Sequence, residues 1–262
     1  MTGPAHRVCL LSDVHFDVHH AALWENFCRW HKEHRPELTV CMGDVVDLGM
    51  ISKYAQGPGE PANAVEQVVV ATEQLNRIAK STGRLVCMKG NHDERWEKAV
   101  AGEHGPELTG AKGLRLEDQF YAQGLSQAVK WIHESKMVPG LILGRNAALL
   151  QHGHKGMAKP AGTKYLAAGQ LAEISSMSSV RGHLHRAQLM CRTELGRTIT
   201  AIAMPHMSGY HEYCGGNPNW QRGFAELTFY GRSRLRDCQF FTSSIVIADS
   251  KGAFAYNGKL YG

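Results

Sequence analysis

The sequence predicts an α/β protein built on a parallel sheet, and two observations carry that expectation. Apolar runs alternate with amphipathic stretches in the order strand, helix, strand, helix, strand. Each of those strand-like runs also breaks off into a cluster of Asp, His or Asn. Parallel sheets bind ligands beyond the carboxyl ends of their strands. Clusters far apart in the chain are therefore expected to meet in space.

The elements follow in order. RVCLLSDVH (7–15), ELTVCMGDVVD (37–47) and RLVCMKGNHD (84–93) read as buried strands entering loops. Between the first two, AALWENFCRWHKEH (21–34) places Leu23, Phe27, Cys28 and Trp30 on one helical face. NAVEQVVVATEQLNRIAKS (63–81) does the same with Val65, Val68, Val69, Leu75, Ile78 and Ala79, and Gly83 follows its end. AALLQHGH (147–154) and SSVRGHLH (178–185) repeat the strand-to-cluster pattern more weakly. Residues 95–146 contain Gly and Pro breaks and then LSQAVKWIHES, which reads as a helix; the segment is expected to be an insertion or lid near the site. The last third turns β-rich through TITAIAMP (198–205), GFAELTFYG (223–231) and CQFFTSSIVIA (238–248). AFAYNGKLYG (253–262) carries the Asn-Gly signal of a two-residue hairpin, and residues 232–262 read as a β-rich C-terminal extension. With no repeat or linker, residues 1–262 are expected to form a single domain.

Composition sets the bounds. Length and apolar content suffice for a substantial core. No run reaches membrane-spanning length and the N-terminus lacks a signal pattern, so a cytoplasmic protein with no membrane partner is expected. Cys9, Cys28, Cys41, Cys87, Cys191, Cys214 and Cys238 are scattered, odd in number and form no CxxC pair, and read as reduced structural thiols. A formal charge of +5 permits an anionic substrate without showing one.

The polar clusters carry the chemistry. Asp13 with His15, Asp44 with Asp47, Asn91 with His92, His152 with His154, and His183 with His185 stand at successive strand ends. Carboxylates, imidazoles and an amide oxygen form a mixed N/O donor set suited to manganese, iron or zinc rather than calcium. On extended backbone, D-x-H and H-x-H send both side chains to one face. The donors are too many for one ion and suit two, about 3.5–4 Å apart, which clamp a phosphate and lower the pKa of a bridging water.

D-V-H, G-D-V-V-D, G-N-H-D, H-G-H and G-H-L-H, in this order over residues 7–186, resemble the calcineurin-like metallophosphoesterase superfamily. W-Q-R-G-F-A-E-L and the terminal Y-N-G-K-L-Y are similar, more weakly, to phosphoesterases encoded by phages and prophages; for a phage-encoded chain the location is the host cytoplasm. The resemblance implies a four-layer αββα sandwich of two mixed sheets flanked by helices, with the β-rich last third supplying the second sheet. It implies that Asp13, His15 and His185 hold one divalent ion and that Asn91, His152 and His183 hold a second, with Asp44 bridging. Manganese leads the expected ions, ahead of iron, zinc, nickel or magnesium. His92 matches the histidine that contacts phosphate and protonates the leaving oxygen through a hydrolysis by metal-bridging hydroxide. Asp47 matches the carboxylate that fixes its tautomer.

The departures also inform. Serine/threonine protein phosphatases of the superfamily read D-x-H-G, G-D-x-V-D-R-G and G-N-H-E, where this chain has Phe16, Leu48 and Asp93. The phosphate-clamping arginine of those enzymes is missing, which favours a phosphodiesterase with DNA, RNA or a nucleotide as substrate. A phosphomonoesterase acting on nucleotides or phosphoproteins, and a protein-binding scaffold like the retromer subunit of the superfamily, are the alternatives.

Around the centre, Arg95 either holds a substrate phosphate or pairs with Glu94 or Glu97. His152, nearer the strand end, is the expected ligand, and His154 either supports the ligands from behind or contacts substrate. Lys155, Lys159 and Lys164 flank the fourth motif. Arg232, Arg234 and Arg236 alternate as on a basic strand, a stripe for nucleic acid or a solvated face. His19, His20, His31 and His34 read as surface-helix residues. The five tryptophans read as packing, with Trp220 also a candidate base-stacking residue.

Overall fold

The computed structural model describes residues 4–52, 63–105, 111–134, 140–155, 166–174, 176–209 and 219–262. Cys214, Lys159 and Lys164 lie outside the described residues. The first apolar runs form β1 (His6–Leu11), β2 (Leu38–Cys41) and β3 (Leu85–Met88), which pair in parallel, and β4 (Val129–Ile132) extends them on the far side of β3. Strand side chains alternate between faces, so each strand feeds two cores. Cys9, Leu11, Cys41 and Cys87 face the helices, whereas Val8, Leu10, Val40 and Met88 face a second sheet. On the other side of β1, β10 (Gly223–Tyr230) pairs antiparallel and β11 (Phe240–Ile247) completes the six-stranded sheet.

The helical face carries α1 (Ala21–His34), α2 (Ala64–Ala79) and α4 (Leu116–Ala122), and α3 (Glu94–His104) adds Trp96 to its margin. α1 begins where the His20 ring accepts the Leu23 N–H, and ends at Arg35, whose left-handed backbone (φ 43°) returns its N–H to His31 before Pro36. Its apolar stripe of Leu23, Trp24, Phe27 and Trp30 is buried, and Trp30 packs on Phe224 with ring centroids 4.5 Å apart. Truncating such a tryptophan to alanine costs about 3–5 kcal/mol.

The second sheet runs β5 (Leu141–Leu143), β6 (Ala148–Gln151), β7 (Ser178–Arg181), β9 (Arg197–Ala203) and β8 (Gln188–Glu194), with β6, β7 and β9 parallel. Leu150, Val180 and Ile202 meet Val8, Leu10 and Leu227 of the first sheet in the inter-sheet core. On the outer face, Ala167 and Leu171 of α5 (Leu166–Glu173) cover Ile199 and Ala201. The layers are helix, sheet, sheet, helix, the αββα arrangement expected from the sequence.

Several elements differ from expectation. The predicted helix at LSQAVKWIHES is strand β4: Gly124 (φ 89°) follows α4, and the short apolar run then pairs with β3. The last third does not build the second sheet by itself. Only β8 and β9 join it, while β10, buried along nearly its whole length, needs cover on both faces and pairs with β1. Arg232, Arg234 and Arg236 lie in bends and a 3-10 turn at Leu235–Asp237, not on a strand. Val65 is 46% exposed rather than packed, and His31 is buried between Ser81 and Thr39 rather than on the surface.

The terminal hairpin forms as expected. β12 (Phe254–Tyr256) and β13 (Lys259–Tyr261) are joined by Asn257 (φ 47°) and Gly258 (φ 79°), the two positive φ angles a type I′ turn requires. Tyr256 of this ribbon donates to Glu226, which also pairs with Arg7, and so ties the C-terminus to β1 and β10. Among the described residues no helix is long and apolar enough to cross a membrane, and the six described cysteines are all free thiols.

Candidate metal centre

Five short loops deliver the polar side chains, and their backbone is unusual. Asp13 (φ 51°), His15 (φ 46°), Asp44 (φ 51°), His183 (φ 69°) and His185 (φ 58°) all occupy the left-handed region. Non-glycine residues there cost of order 1–3 kcal/mol each and persist where the surroundings fix them. The D-x-H and H-x-H pairs thus converge through left-handed loops beyond the strands, not through strand alternation as the sequence suggests. Carbonyls of the second loop brace the first: Asp13, His15 and Phe16 donate their N–H groups to Gly43, Asp44 and Val45.

The side chains form two linked groups. In one, Asp13, His15 and His185 bring ligand atoms together, with His185 Nε2 3.1 Å from Asp13 Oδ1. In the other, Asp44, His152 and His183 converge, with His152 Nε2 3.3 Å from Asp44 Oδ2 and 3.1 Å from Asn91 Oδ1. Asp44 stands between the groups: its Oδ2 is also 3.9 Å from His15 Nε2 and 4.0 Å from His92 Nε2. Two ligands of one ion at about 2.0–2.1 Å lie roughly 3 Å apart, so these separations fit shared cations. Asp13, His15, Asp44, His152 and His185 are buried, and buried carboxylates without a positive partner are costly. The donor set and its burial fit two divalent ions.

Supporting bonds aim the donors. His152 Nδ1 donates to the Met42 carbonyl at 2.9 Å, which turns Nε2 toward Asp44. The His152 N–H is held by the Glu134 carboxylate. Asp13 Oδ2 accepts the Ser12 hydroxyl and the His183 N–H (2.9 Å), and Asp44 Oδ1 accepts the His92 N–H (2.9 Å). Gly90 has ordinary backbone, so it serves close approach and not a sharp turn: a Cβ there would collide with the Asp44 carboxylate. Gly43 (φ 105°) has both reasons, since a Cβ would strike the His152 ring.

Electrostatics follow from this packing. Burial alone would raise the Asp13 and Asp44 carboxyls, but His185 beside the first and His152 and His92 beside the second hold both well below the usual range. Burial lowers His15 and His152, yet Asp47 raises His15 to about 9 and Asp44 raises His152 to about 10. His183 falls to about 4 through burial and the nearby His152.

His92 sits beside both groups. Its Nδ1 is 2.7 Å from Asp47 Oδ1, and Arg95 of α3 donates to its Nε2 (3.2 Å) and to the Asp47 carbonyl (2.7 Å). Arg95 therefore engages the His92–Asp47 pair and neither Glu94 nor Glu97. His154 lies beside His152, ring centroids 5.1 Å apart, with Nε2 3.4 Å from Glu94 Oε1; Lys155 also pairs with Glu94. Leu48 is buried in the helical-side core, so no cation stands there.

Beyond Ser12 and Glu134, three further contributors carry little or no sequence signal. Asp93 is buried and accepts N–H bonds from Gly90 (2.8 Å), Val45 (3.0 Å) and Val46 (3.2 Å), clamping the second loop to the third. Its place in G-N-H-D was the available signal. Asp17 accepts the Asp47 N–H at 3.0 Å. His206 stacks on His185 and follows strand β9 with no spacing signal in the sequence.

Two mixed sheets back to back, with buried Asp and His donors and half-buried Asn91 and His183 at the carboxyl ends of their parallel strands, are the arrangement of a metal-dependent hydrolase. The sequence model of the calcineurin-like phosphoesterase family matches residues 6–227, and the chain belongs to this family. β11 and the terminal ribbon lie beyond the matched region. No curated protein matched the chain significantly. Among solved structures, the chain is similar to Vps29 from Entamoeba histolytica complexed with zinc, at 15% identity and TM-score 0.45, covering 97% of this chain and 95% of that one. Vps29 from Cryptosporidium parvum gives 14% identity and TM-score 0.45, covering 98% and 94%. Purple acid phosphatase PPD1 from yellow lupin gives 12% identity and TM-score 0.42, covering 95% and 55%.

Proposed function

We propose that the chain is a two-metal phosphodiesterase acting on nucleic acid. The observation that carries this reading is the place of Asp44, between the Asp13–His15–His185 group and the His152–His183–Asn91 group, with His92 on its flank. Asp13, His15 and His185 would hold one ion and Asn91, His152 and His183 the other, with Asp44 shared between them. Two divalent ions there, manganese first among them, neutralise phosphate charge and lower the pKa of the attacking water.

The chain's own groups do the rest. His92 acts as the imidazolium: Asp47 holds its Nδ1–H, and Nε2, once Arg95 has left it and it is protonated, donates to the leaving oxygen. Arg95, released from His92 Nε2, grips a non-bridging phosphate oxygen. His154, at the edge of the second group, contacts the substrate. A diester carries less charge than a monoester dianion, which suits a site where Leu48 replaces a clamping arginine.

A basic groove lies apart from the centre, at the C-terminal ends of α1 and α2, whereas the donors follow the carboxyl ends of the parallel strands. It measures about 450 Å³ and is lined by Arg29, Lys32, Arg35, Arg77 and Lys80. Arg77 is paired with the Glu25 carboxylate.

The test is the ratio of rates on bis-p-nitrophenyl phosphate and p-nitrophenyl phosphate with Mn²⁺. Diester hydrolysis abolished by Asp44→Ala is expected. Activity on the monoester alone would overturn the diester reading, and less than one equivalent of metal would indicate a scaffold. Cleavage of an oligonucleotide that weakens steeply with salt supports the substrate class.

A further inference from the structure

The run from Met204 to Gly209, leaving β9, touches both loops that carry the first group of donors. On one side, Met207 donates its N–H to the Asp13 carbonyl (3.2 Å) and accepts the His20 N–H (3.0 Å), while Gly209 donates to Val18 (2.6 Å). On the other, His206 donates to the Gln221 carbonyl (3.0 Å), and Gln221 donates to the His185 carbonyl (3.0 Å). The His206 side chain continues this brace. It is 1% exposed, its ring lies parallel to that of His185 (centroids 4.7 Å apart, 9° between planes), and its Nδ1 is 2.6 Å from Ser208 Oγ. Trp220 stands edge-on to both rings, at 4.2 and 5.4 Å.

The second group has separate supports: His152 is aimed by the Met42 carbonyl and by Glu134. The two halves share the loop of His183 and His185 and the bond from the His183 N–H to Asp13, but the His206 ring packs on a donor of the first group, His185. A ring locked by packing and a hydrogen bond restricts the rotamer of the ring stacked on it, and supports of this kind set how well a donor meets its ion.

We infer that His206 is a positioning residue for the first ion, fixing the ring of His185 by stacking, so that the affinity of that ion can change without change at the second. The inference rests on the two-metal reading above.

Calorimetric titration of metal-stripped protein with Mn²⁺ tests it. The wild type is expected to bind two equivalents. His206→Ala should weaken one equivalent by about 10–100-fold and leave the other unchanged. Background variants identify the equivalent affected. With Asn91→Ala, which spares the first group, adding His206→Ala should weaken the remaining ion. With His185→Ala, which removes the ring that His206 stacks on and leaves the donors of the second group in place, it should have no effect. Equal weakening of both equivalents, or of neither, overturns the inference. His206→Phe keeps a flat ring on His185 and should retain most of the affinity; a loss as large as that of alanine overturns stacking as the cause. If His206→Ala does not fold, Ser208→Ala takes its place, with a smaller loss expected at the same equivalent alone and no change overturning it. Fewer than two equivalents on the wild type would overturn the two-metal reading itself and this inference with it.

Discussion

Nδ1 of His92 lies 2.7 Å from Oδ1 of Asp47, and the same oxygen lies 3.1 Å from Nδ1 of His15. One carboxylate thus orients both the proposed acid and a proposed metal donor, from a loop whose own N–H is anchored on Asp17. Burial pushes the Asp47 carboxyl up, but hydrogen bonds from His15 and His92 hold it far below its ordinary value, so it stays anionic.

His92→Ala should reduce kcat by about 10²–10⁴ on a diester with an alkoxide leaving group. On a p-nitrophenyl ester the loss should be small, because that phenolate leaves without a proton. Asp47→Asn should impair both substrates, since it also loosens His15. Parallel kinetics on the two leaving groups check this, and equal losses for His92→Ala would remove it as the acid.

Gly90→Ala should empty the centre while leaving the fold in place. Its Cβ would overlap the Asp44 carboxylate and lie 2.5 Å from the Asp44 backbone N, so the second loop must shift and carry the carboxylate away from His152. Metal content by mass spectrometry is expected to drop, with an unchanged far-ultraviolet dichroism spectrum.

Asp93→Ala orphans three buried N–H groups, at Gly90, Val45 and Val46. An unsatisfied buried donor costs about 1–3 kcal/mol, so a loss of about 3 kcal/mol or more is expected in denaturant unfolding. Asp93→Asn should recover part of it, because one amide oxygen can still accept.

Metal-free protein should be most stable near pH 6.5. The folded state holds protons on His15 up to about pH 9 and on His152 up to about pH 10, because Asp47 and Asp44 offset the burial that would otherwise lower them. An unfolded imidazole releases its proton near 6.5, so stability falls as pH rises from there. His183 and His31, both pushed down to about 4 by burial, act below that point: the unfolded chain takes up protons first, and stability falls as pH drops toward 4. Thermal melts in chelator from pH 4 to 10 should show this maximum. With Mn²⁺ the alkaline fall should be reversed, because the metal displaces the same protons.

Much of this was legible from the residues. α1 was read to its final boundaries because Leu23, Phe27 and Trp30 repeat at helical spacing, and the Asn257–Gly258 turn because only φ-permissive residues fit it. The polar clusters at strand ends announced that Asp13, Asp44, Asn91, His152 and His183 would meet, and the structure brings them together. Other features depend on long-range pairing that local pattern does not encode. Val129–Ile132 has too few residues to separate a strand from a helix until β3 supplies a partner. β10 joins β1 across more than two hundred residues, which no local periodicity predicts. His206 reaches the centre only because β9 ends beside the first loop, and Arg95 because α3 turns back over Asp47.

The central claim is a pair of ions sharing Asp44, and anomalous diffraction from crystals grown with Mn²⁺ tests it most directly. Two peaks about 3.5–4 Å apart are expected, one against Asp13, His15 and His185 and one against Asn91, His152 and His183, with the Asp44 carboxylate between them. A single peak, or two peaks without Asp44 between them, in protein that hydrolyses phosphodiesters would contradict it.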